Sequence, residues 1–188
     1  MNTIDLETIE RVRLYALNNL SEKRYNHSVS VAETAKKLAK QFRQDETLAY
    51  FAGLCHDLYK ETDKQTLKDI AFAADHTLSY SETVAPSLLH GRVCGIMLEK
   101  EFDIHNEILV EAVTYHTFGK SNMHDISKIV CIADKIEPTR SYMTPEKFDY
   151  YMKLGLAELL FVVLSEIVQH RRSQNEEIFP DALWIYHL

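Results

Sequence analysis

Leu48-Ala49-Tyr50-Phe51-Ala52-Gly53-Leu54-Cys55-His56-Asp57 carries a nearly unbroken apolar run straight into two side chains of the metal-ligand type. The apolar residues Leu48, Phe51, Ala52 and Cys55 have helical spacing, and His56 lies one turn beyond Ala52 on that inward face. Adjacent helical residues point about 100° apart, so His56 and Asp57 share one ion only where the helix ends and the two side chains converge. A His-Asp dipeptide alone is a weak signal. Its weight depends on what the rest of the chain brings to meet it.

Helical periodicity recurs on both sides of this stretch, and β alternation hardly appears. Before it, residues 6–20 form an opening helix, residues 24–27 a short break, and Val31, Ala32, Ala35, Leu38, Ala39 and Phe42 the inward stripe of a second helix. His27 lies one turn before Val31, at the expected start of that helix. After it, Asp63 or Thr62 caps a short helix through Ala74, and residues 75–86 read as a loop. Pro86 opens a helix with His90 near its start, and Asn106 caps another in which His116 follows Ala112 by one turn. Gly119 is a C-terminal stop. A helix beginning at Asp125 or Ser127 carries Ile126, Ile129, Val130 and Ala133 inward, with Asp134 one turn after Val130. Pro145 opens a helix to about Leu154, Leu156 to His170 form a long apolar one, and a tail from Ile178 to Leu188 packs back on the body. The architecture is all-α.

Composition narrows the function. The 188 residues suit one domain with a proper core, and five glycines and four prolines argue against a β-sandwich or long linkers. A net charge of −7 argues against nucleic acid or an anionic membrane as partner. Nine histidines point toward metal chemistry. Cys55, Cys94 and Cys131 form no CxxC pair and fit a reducing cytoplasm, each as a small buried hydrophobe. Charged residues interrupt the N-terminal stretch, which does not read as a signal peptide, and the longest apolar run, 159–164, is too short to span a bilayer.

His27, His56, Asp57, His90, His116 and Asp134 each fall at or near the core-facing edge of a helix. A buried carboxylate such as Asp134 needs a cation or a hydrogen-bond network, and a metal bound by two His and two Asp answers that need. Imidazole with carboxylate suits Fe, Mn, Co or Zn better than Ca or Mg.

The ordered set His27 … His56-Asp57 … Asp134 resembles that of the HD superfamily of helical metal-dependent phosphohydrolases. The flanks resemble its bacterial YqeK-type subfamily: Arg24-Tyr25-Asn26-His27-Ser28-Val29-Ser30, Leu54-Cys55-His56-Asp57-Leu58-Tyr59-Lys60, Leu88-Leu89-His90-Gly91, Tyr115-His116-Thr117-Phe118-Gly119-Lys120 and Ala133-Asp134-Lys135-Ile136-Glu137-Pro138-Thr139-Arg140. The resemblance implies a single HD-type helical bundle over residues 1–188, with a motif-bearing core of about 20–140 and C-terminal helices in 145–188 packing on it. It also implies symmetrical hydrolysis of diadenosine tetraphosphate to two ADP by a metal-activated water, with iron or another transition metal (Mn, Co or Zn), divalent or trivalent, as one ion or two. His27, His56, Asp57 and Asp134 match the family's metal ligands, while His90 and His116 match positions extending the site toward phosphate or a second ion. The family commonly has His-Thr-Thr-Gly-Arg where this chain has His116-Thr117-Phe118-Gly119-Lys120. Its proline-aspartate tail pattern survives only as Pro180-Asp181 before Ala182-Leu183-Trp184. If these positions contact the nucleoside, base preference differs here.

The chemistry stands beside the resemblance. A phosphoanhydride repels hydroxide, so its hydrolysis needs neutralised phosphates and an activated water. In an acidic chain, Lys60 and Arg140 are the best phosphate contacts, with Arg24, Thr117 and Lys120 after them. His90 and His116, with Asp57 and Lys60, are the candidates for the catalytic steps. His76, His105, His124, His170 and His187 read as surface residues, and Trp184 and Tyr186 either staple the tail or stack on a base. The rival readings are an HD-type nucleotidase or phosphodiesterase on another nucleotide, and a nucleotide-binding sensor module. The helix from Leu156 to Val168 is either core or the seam of a homodimer.

Overall fold

The computed structural model describes residues 4–187, His187 by its backbone alone; the expected surface place of the His187 side chain and the tail residue Leu188 lie outside the described residues. Ten α-helices and two 3-10 segments follow one another, and no strand occurs among the described residues. In chain order they are α1 (Leu6–Asn19), α2 (Glu22–Gln41), α3 (Glu46–Cys55), α4 (Lys64–Asp75), α5 (Tyr80–Val84), a 3-10 turn (Pro86–Leu89), α6 (His90–Phe102), α7 (Glu107–Tyr115), α8 (Asp125–Ile136), α9 (Pro145–Tyr151), α10 (Leu156–Ser173) and a 3-10 segment (Pro180–His187).

Short polar side chains set the helix starts. Asp5, Asp45, Asp63, Asn106 and Thr144 each accept a backbone N–H of the first turn they precede. Two of the stretches differ from the periodicity, and one expected start has an unforeseen cap. Ser21 accepts the Arg24 N–H and starts α2 ahead of residues 24–27, so His27 sits in the second turn, not at the helix start. The polar residues Glu22, Lys23 and Asn26 hide that start because they are exposed, while Tyr25 alone packs partly against the core. Residues 80–84, expected as loop, form a helical turn secured by reciprocal Ser79–Glu82 capping bonds. His124 accepts the Ile126 N–H on its imidazole and caps α8, so it is exposed as expected yet structural.

Helix α8 is the centre of the fold. It packs against α2, α3, α7 and α10, and Ile126, Ile129, Val130, Cys131, Ile132, Ala133 and Ile136 are all buried. A helix buried on nearly every face belongs inside, and each buried isoleucine contributes about 1.5–3 kcal/mol. The largest helix interface is α2 with α3. Gly53 makes it close: a Cβ there would stand 2.7 Å from the Ala32 Cα and 3.1 Å from the Val31 carbonyl. The three cysteines are buried and unpaired, as expected. No helix among the described residues is long and apolar enough to cross a membrane.

The 116–124 connection is tied down by Glu111 of α7. Its carboxylate accepts the His124 N–H at 2.8 Å and the Ser127 hydroxyl at 2.7 Å, and pairs with Lys120 at 3.1 Å. Burial pushes this carboxyl up, but the Ser127, His124 and Lys120 donors outweigh it and hold it below its ordinary value. A carboxylate lowered by folding stabilises above its unfolded pKa, and the contribution fades as pH falls through the folded value. Denaturant unfolding should therefore show Glu111→Ala weaker by about 1–2 kcal/mol near neutrality, with the gap narrowing in acid. A gap that widens in acid would contradict this assignment.

Candidate active site

Three histidines reach one pocket by the same device. His56 caps α3, His116 caps α7, and His90 ends the 3-10 turn. Each places its Nδ1 2.7 Å from the carbonyl three residues earlier, on Gly53, Val113 and Ser87 respectively. The last carbonyls of a helix lack onward partners, and a carbonyl only accepts. Each Nδ1 therefore carries the proton and donates it, so a neutral ring turns an Nε2 lone pair inward. His27 enters from α2 with Nδ1 3.0 Å from Glu137 Oε1.

The inward nitrogens meet two carboxylates. His27 Nε2 lies 3.1 Å from Asp134 Oδ1, and His56 Nε2 lies 3.7 Å from that oxygen and 3.4 Å from Asp57 Oδ2. Asp57 Oδ1 stands 3.1 Å from His90 Nε2 and 3.6 Å from His116 Nε2, and the latter two nitrogens are 3.0 Å apart. His27, His56 and Asp134 form one close set of ligand atoms, and His56, Asp57 and His116 a second that shares His56. His56 Nε2 and Asp57 Oδ1 are buried without a hydrogen-bond partner. Lone pairs and carboxylates facing each other at this range repel unless cations lie among them. The donor set of imidazole and carboxylate is that of a transition metal, and these residues fit one.

Electrostatics agrees with the geometry. Burial alone would raise Asp57 and Asp134, but the His56 imidazole beside Asp57 and the Lys135 amine beside Asp134 lead the groups that hold both well below the usual carboxylate range. Burial lowers His56, yet Asp57 and Asp134 outweigh it and lift the group to about 9. Burial presses His116 down to about 3, which keeps its Nε2 a lone-pair donor. The two carboxylates thus favour positive charge at a fully buried position.

Basic residues surround this acidic floor. Arg24 pairs with Asp57 Oδ2 at 2.6 Å, Lys60 Nζ lies 3.2 Å from His90 Nε2, and Arg140 donates to Asp134 Oδ1 at 2.6 Å and to its carbonyl. Asp134 sits in the last turn of α8, where the helix dipole disfavours an anion, and Arg140 and Lys135 offset that. Beyond Asp134 opens a cleft of about 840 Å³. Thr117, Phe118, Lys135, Arg140 and Lys147 line it together with the apolar Val163, Leu164, Ile167 and Phe179. Glu166 of α10 accepts Lys147 at 2.7 Å and the Tyr151 hydroxyl at 2.8 Å, fastening α9 to α10 there. Trp184 donates to the Phe118 carbonyl at 2.8 Å, so it staples the last segment to the loop at the cleft. Tyr186 packs edge-on against Phe161.

The structure brings His27, His56, Asp57, His90, His116 and Asp134 together, with Arg24, Lys60, Thr117 and Arg140 beside them. Lys120 is not brought in: its amine pairs with Glu111 and lies over the Tyr115 ring, away from the cleft. Two residues escaped sequence reasoning. Lys135 donates to Asp134 Oδ2 at 2.6 Å and to the His116 carbonyl at 3.0 Å, and Glu137, 1% exposed, holds His27. Their one signal was charge next to an inward Asp on an apolar helix, a pattern that solvated charges share.

A helical protein with an acidic ligand cluster opening on a cation-edged cleft is built as a metal-dependent phosphohydrolase. The HD domain pattern matches residues 24–139, and the chain belongs to the HD domain family, whose sites bind a divalent metal. It is 39% identical over 136 residues to a Staphylococcus aureus protein named symmetrical bis(5'-nucleosyl)-tetraphosphatase, covering 71% of this chain and 68% of that protein. A Halalkalibacterium halodurans protein of the same name is 31% identical over 172 residues, 90% of each. The crystal structure of a predicted HD superfamily hydrolase involved in NAD metabolism from Clostridium acetobutylicum superposes with a TM-score of 0.85 at 29% identity, covering 93% of this chain and 92% of that one.

Proposed function

We propose that this chain hydrolyses diadenosine tetraphosphate symmetrically. Water adds to one of the two central phosphorus atoms, the bridging P–O bond between them breaks, and two ADP and two protons leave. The observation that carries this reading is the junction of the His/Asp cluster with the large cleft. An ion held by this cluster would be within reach of one part of a dinucleotide while another part lies along α10. The names of the relatives support the same substrate class.

His27, His56, Asp57 and Asp134 are the proposed metal ligands, with His90 and His116 extending the set to a second ion or to phosphate. A bound transition metal supplies a water acidified toward neutrality and a Lewis acid for a phosphate oxygen. Iron is the ion proposed, because the motifs resemble those of the iron-using subfamily and the donors suit it. Arg140, Lys60, Arg24 and Thr117, joined by Lys135, hold the phosphate chain and spread its charge. The protein is proposed to act in the cytoplasm as one HD domain.

Product identification tests the reading. Purified protein loaded with Fe²⁺ and given diadenosine tetraphosphate should yield ADP alone; ATP with AMP, or no turnover beside rapid cleavage of mononucleotides or cyclic nucleotides, overturns it. Chelation should lower both activity and melting temperature, since an ion at about a thousandfold over its Kd stabilises by roughly 4 kcal/mol. Arg140→Ala should cost about 10- to 100-fold in kcat/KM, the worth of one charge-assisted contact, with Arg140→Lys restoring only part of it. Steady-state kinetics with no change in either variant would remove Arg140 from the phosphate site.

A further inference from the structure

His56, His90 and His116 are oriented by neutral carbonyls at the ends of their own helices, a device closed to His27. His27 lies within α2, where the helix's own hydrogen bonds occupy the backbone carbonyls. Its orientation is supplied from another helix. Glu137 caps the end of α8, and its buried carboxylate accepts from His27 Nδ1 at 3.0 Å, while Nε2 faces Asp134 Oδ1, one turn earlier, at 3.1 Å. The imidazole thus stands between the carboxylates of consecutive turns, one holding its Nδ1–H and the other beside its lone pair. Glu137 is itself held: Ser30, one turn along α2 from His27, donates to Oε2 at 2.7 Å, and Thr139 donates its N–H at 2.7 Å and its hydroxyl at 2.8 Å. Arg140 Nε stands 3.5 Å from Oε1.

We propose that Glu137 is a positioning residue for the metal centre, fixing His27 with the proton on Nδ1 and enriching its Nε2 as a ligand. A carboxylate on Nδ1–H both chooses the tautomer and raises the basicity of the opposite nitrogen, which a neutral carbonyl does less. Glu137 makes His27 the one ring of the four that is backed by a full negative charge. This inference rests on the reading of the pocket as a metal centre but not on the identity of the nucleotide.

The test is metal affinity in the absence of substrate. Metal-stripped full-length protein is titrated with Co²⁺ against a competing chelator, with the visible absorption of the bound ion recorded. Glu137→Ala should weaken binding by about 10- to 100-fold and alter the absorption band, and Glu137→Gln, which keeps shape and acceptor but loses charge, should fall between. In a His27→Ala background the Glu137→Ala change should have little further effect, since its influence passes through that ring. Circular dichroism checks that the variants fold, and the isosteric Glu137→Gln keeps the test alive if Glu137→Ala does not. Wild-type affinity in Glu137→Gln together with Glu137→Ala, or an equal loss when His27 is absent, overturns the proposal. A chain that binds Co²⁺ as expected yet fails to cleave diadenosine tetraphosphate leaves this inference intact and removes only the substrate assignment.

Discussion

Asp57→Asn abolishes turnover: kcat/KM falls by at least about 10³-fold, equivalent to roughly 4 kcal/mol. Asp57 is the hub of the pocket, because its two oxygens reach His56, His90, His116 and Arg24, and His27 at 3.8 Å. It is also the carboxylate of the close ligand set that joins His56 to His116. Asparagine keeps the volume but removes the charge and turns an N–H₂ toward groups that are themselves lone-pair donors. The far-ultraviolet spectrum should stay helical, since the substitution changes no apolar packing. Activity within tenfold of wild type would show that the metal needs no anionic ligand here, and the assignment of Asp57 would fall.

Gly53→Ala is expected to damage stability and metal binding together. The added Cβ meets the Cα of Ala32 rather than a side chain that can rotate away, so α3 has to retreat from α2. Overpacking of this kind costs about 1–3 kcal/mol or more. In a chain of this size each kilocalorie lowers Tm by about 2–4 °C. His56 is three residues along the same helix and moves with it, away from the His27 ring whose centroid now lies 5.3 Å off. Thermal melts with and without metal measure both effects. Gly155→Ala is the control, since nothing lies within 4 Å of a Cβ at that position. Equal melting temperatures for the two variants would mean that the α2–α3 contact relaxes freely.

The clustered histidines and aspartates were readable in the sequence because burying His or Asp on an apolar face is costly without a partner, so such residues stand out against the periodicity. His56 at the close of Leu48–Cys55 and Asp134 after Val130 both showed this way. The groups that support them did not. Glu137 and Lys135 are charged residues beside a helix end, and one-dimensional pattern does not distinguish a buried Glu with four donors from a solvated one. As a local cation in an acidic chain Lys120 reads as a phosphate contact, but Glu111, nine residues upstream, claims it. The one-turn helix at 80–84 has no periodicity to read; only the Ser79–Glu82 pair marks it. The cleft wall along α10 depends on contacts between residues far apart in the chain. That helix was legible as apolar but not as the side of a binding cleft.

Three imidazoles issue from the ends of helical segments, so their directions are set by residue count rather than by loop shape. One residue inserted within α3 would advance His56 by about 1.5 Å and swing it by about 100°, out of reach of Asp134. The same insertion in the connection between α4 and α5 changes no residue count between a helix start and its terminal histidine. Lineages descended from such a chain should accumulate length changes in the connections and almost none inside α3 or α7.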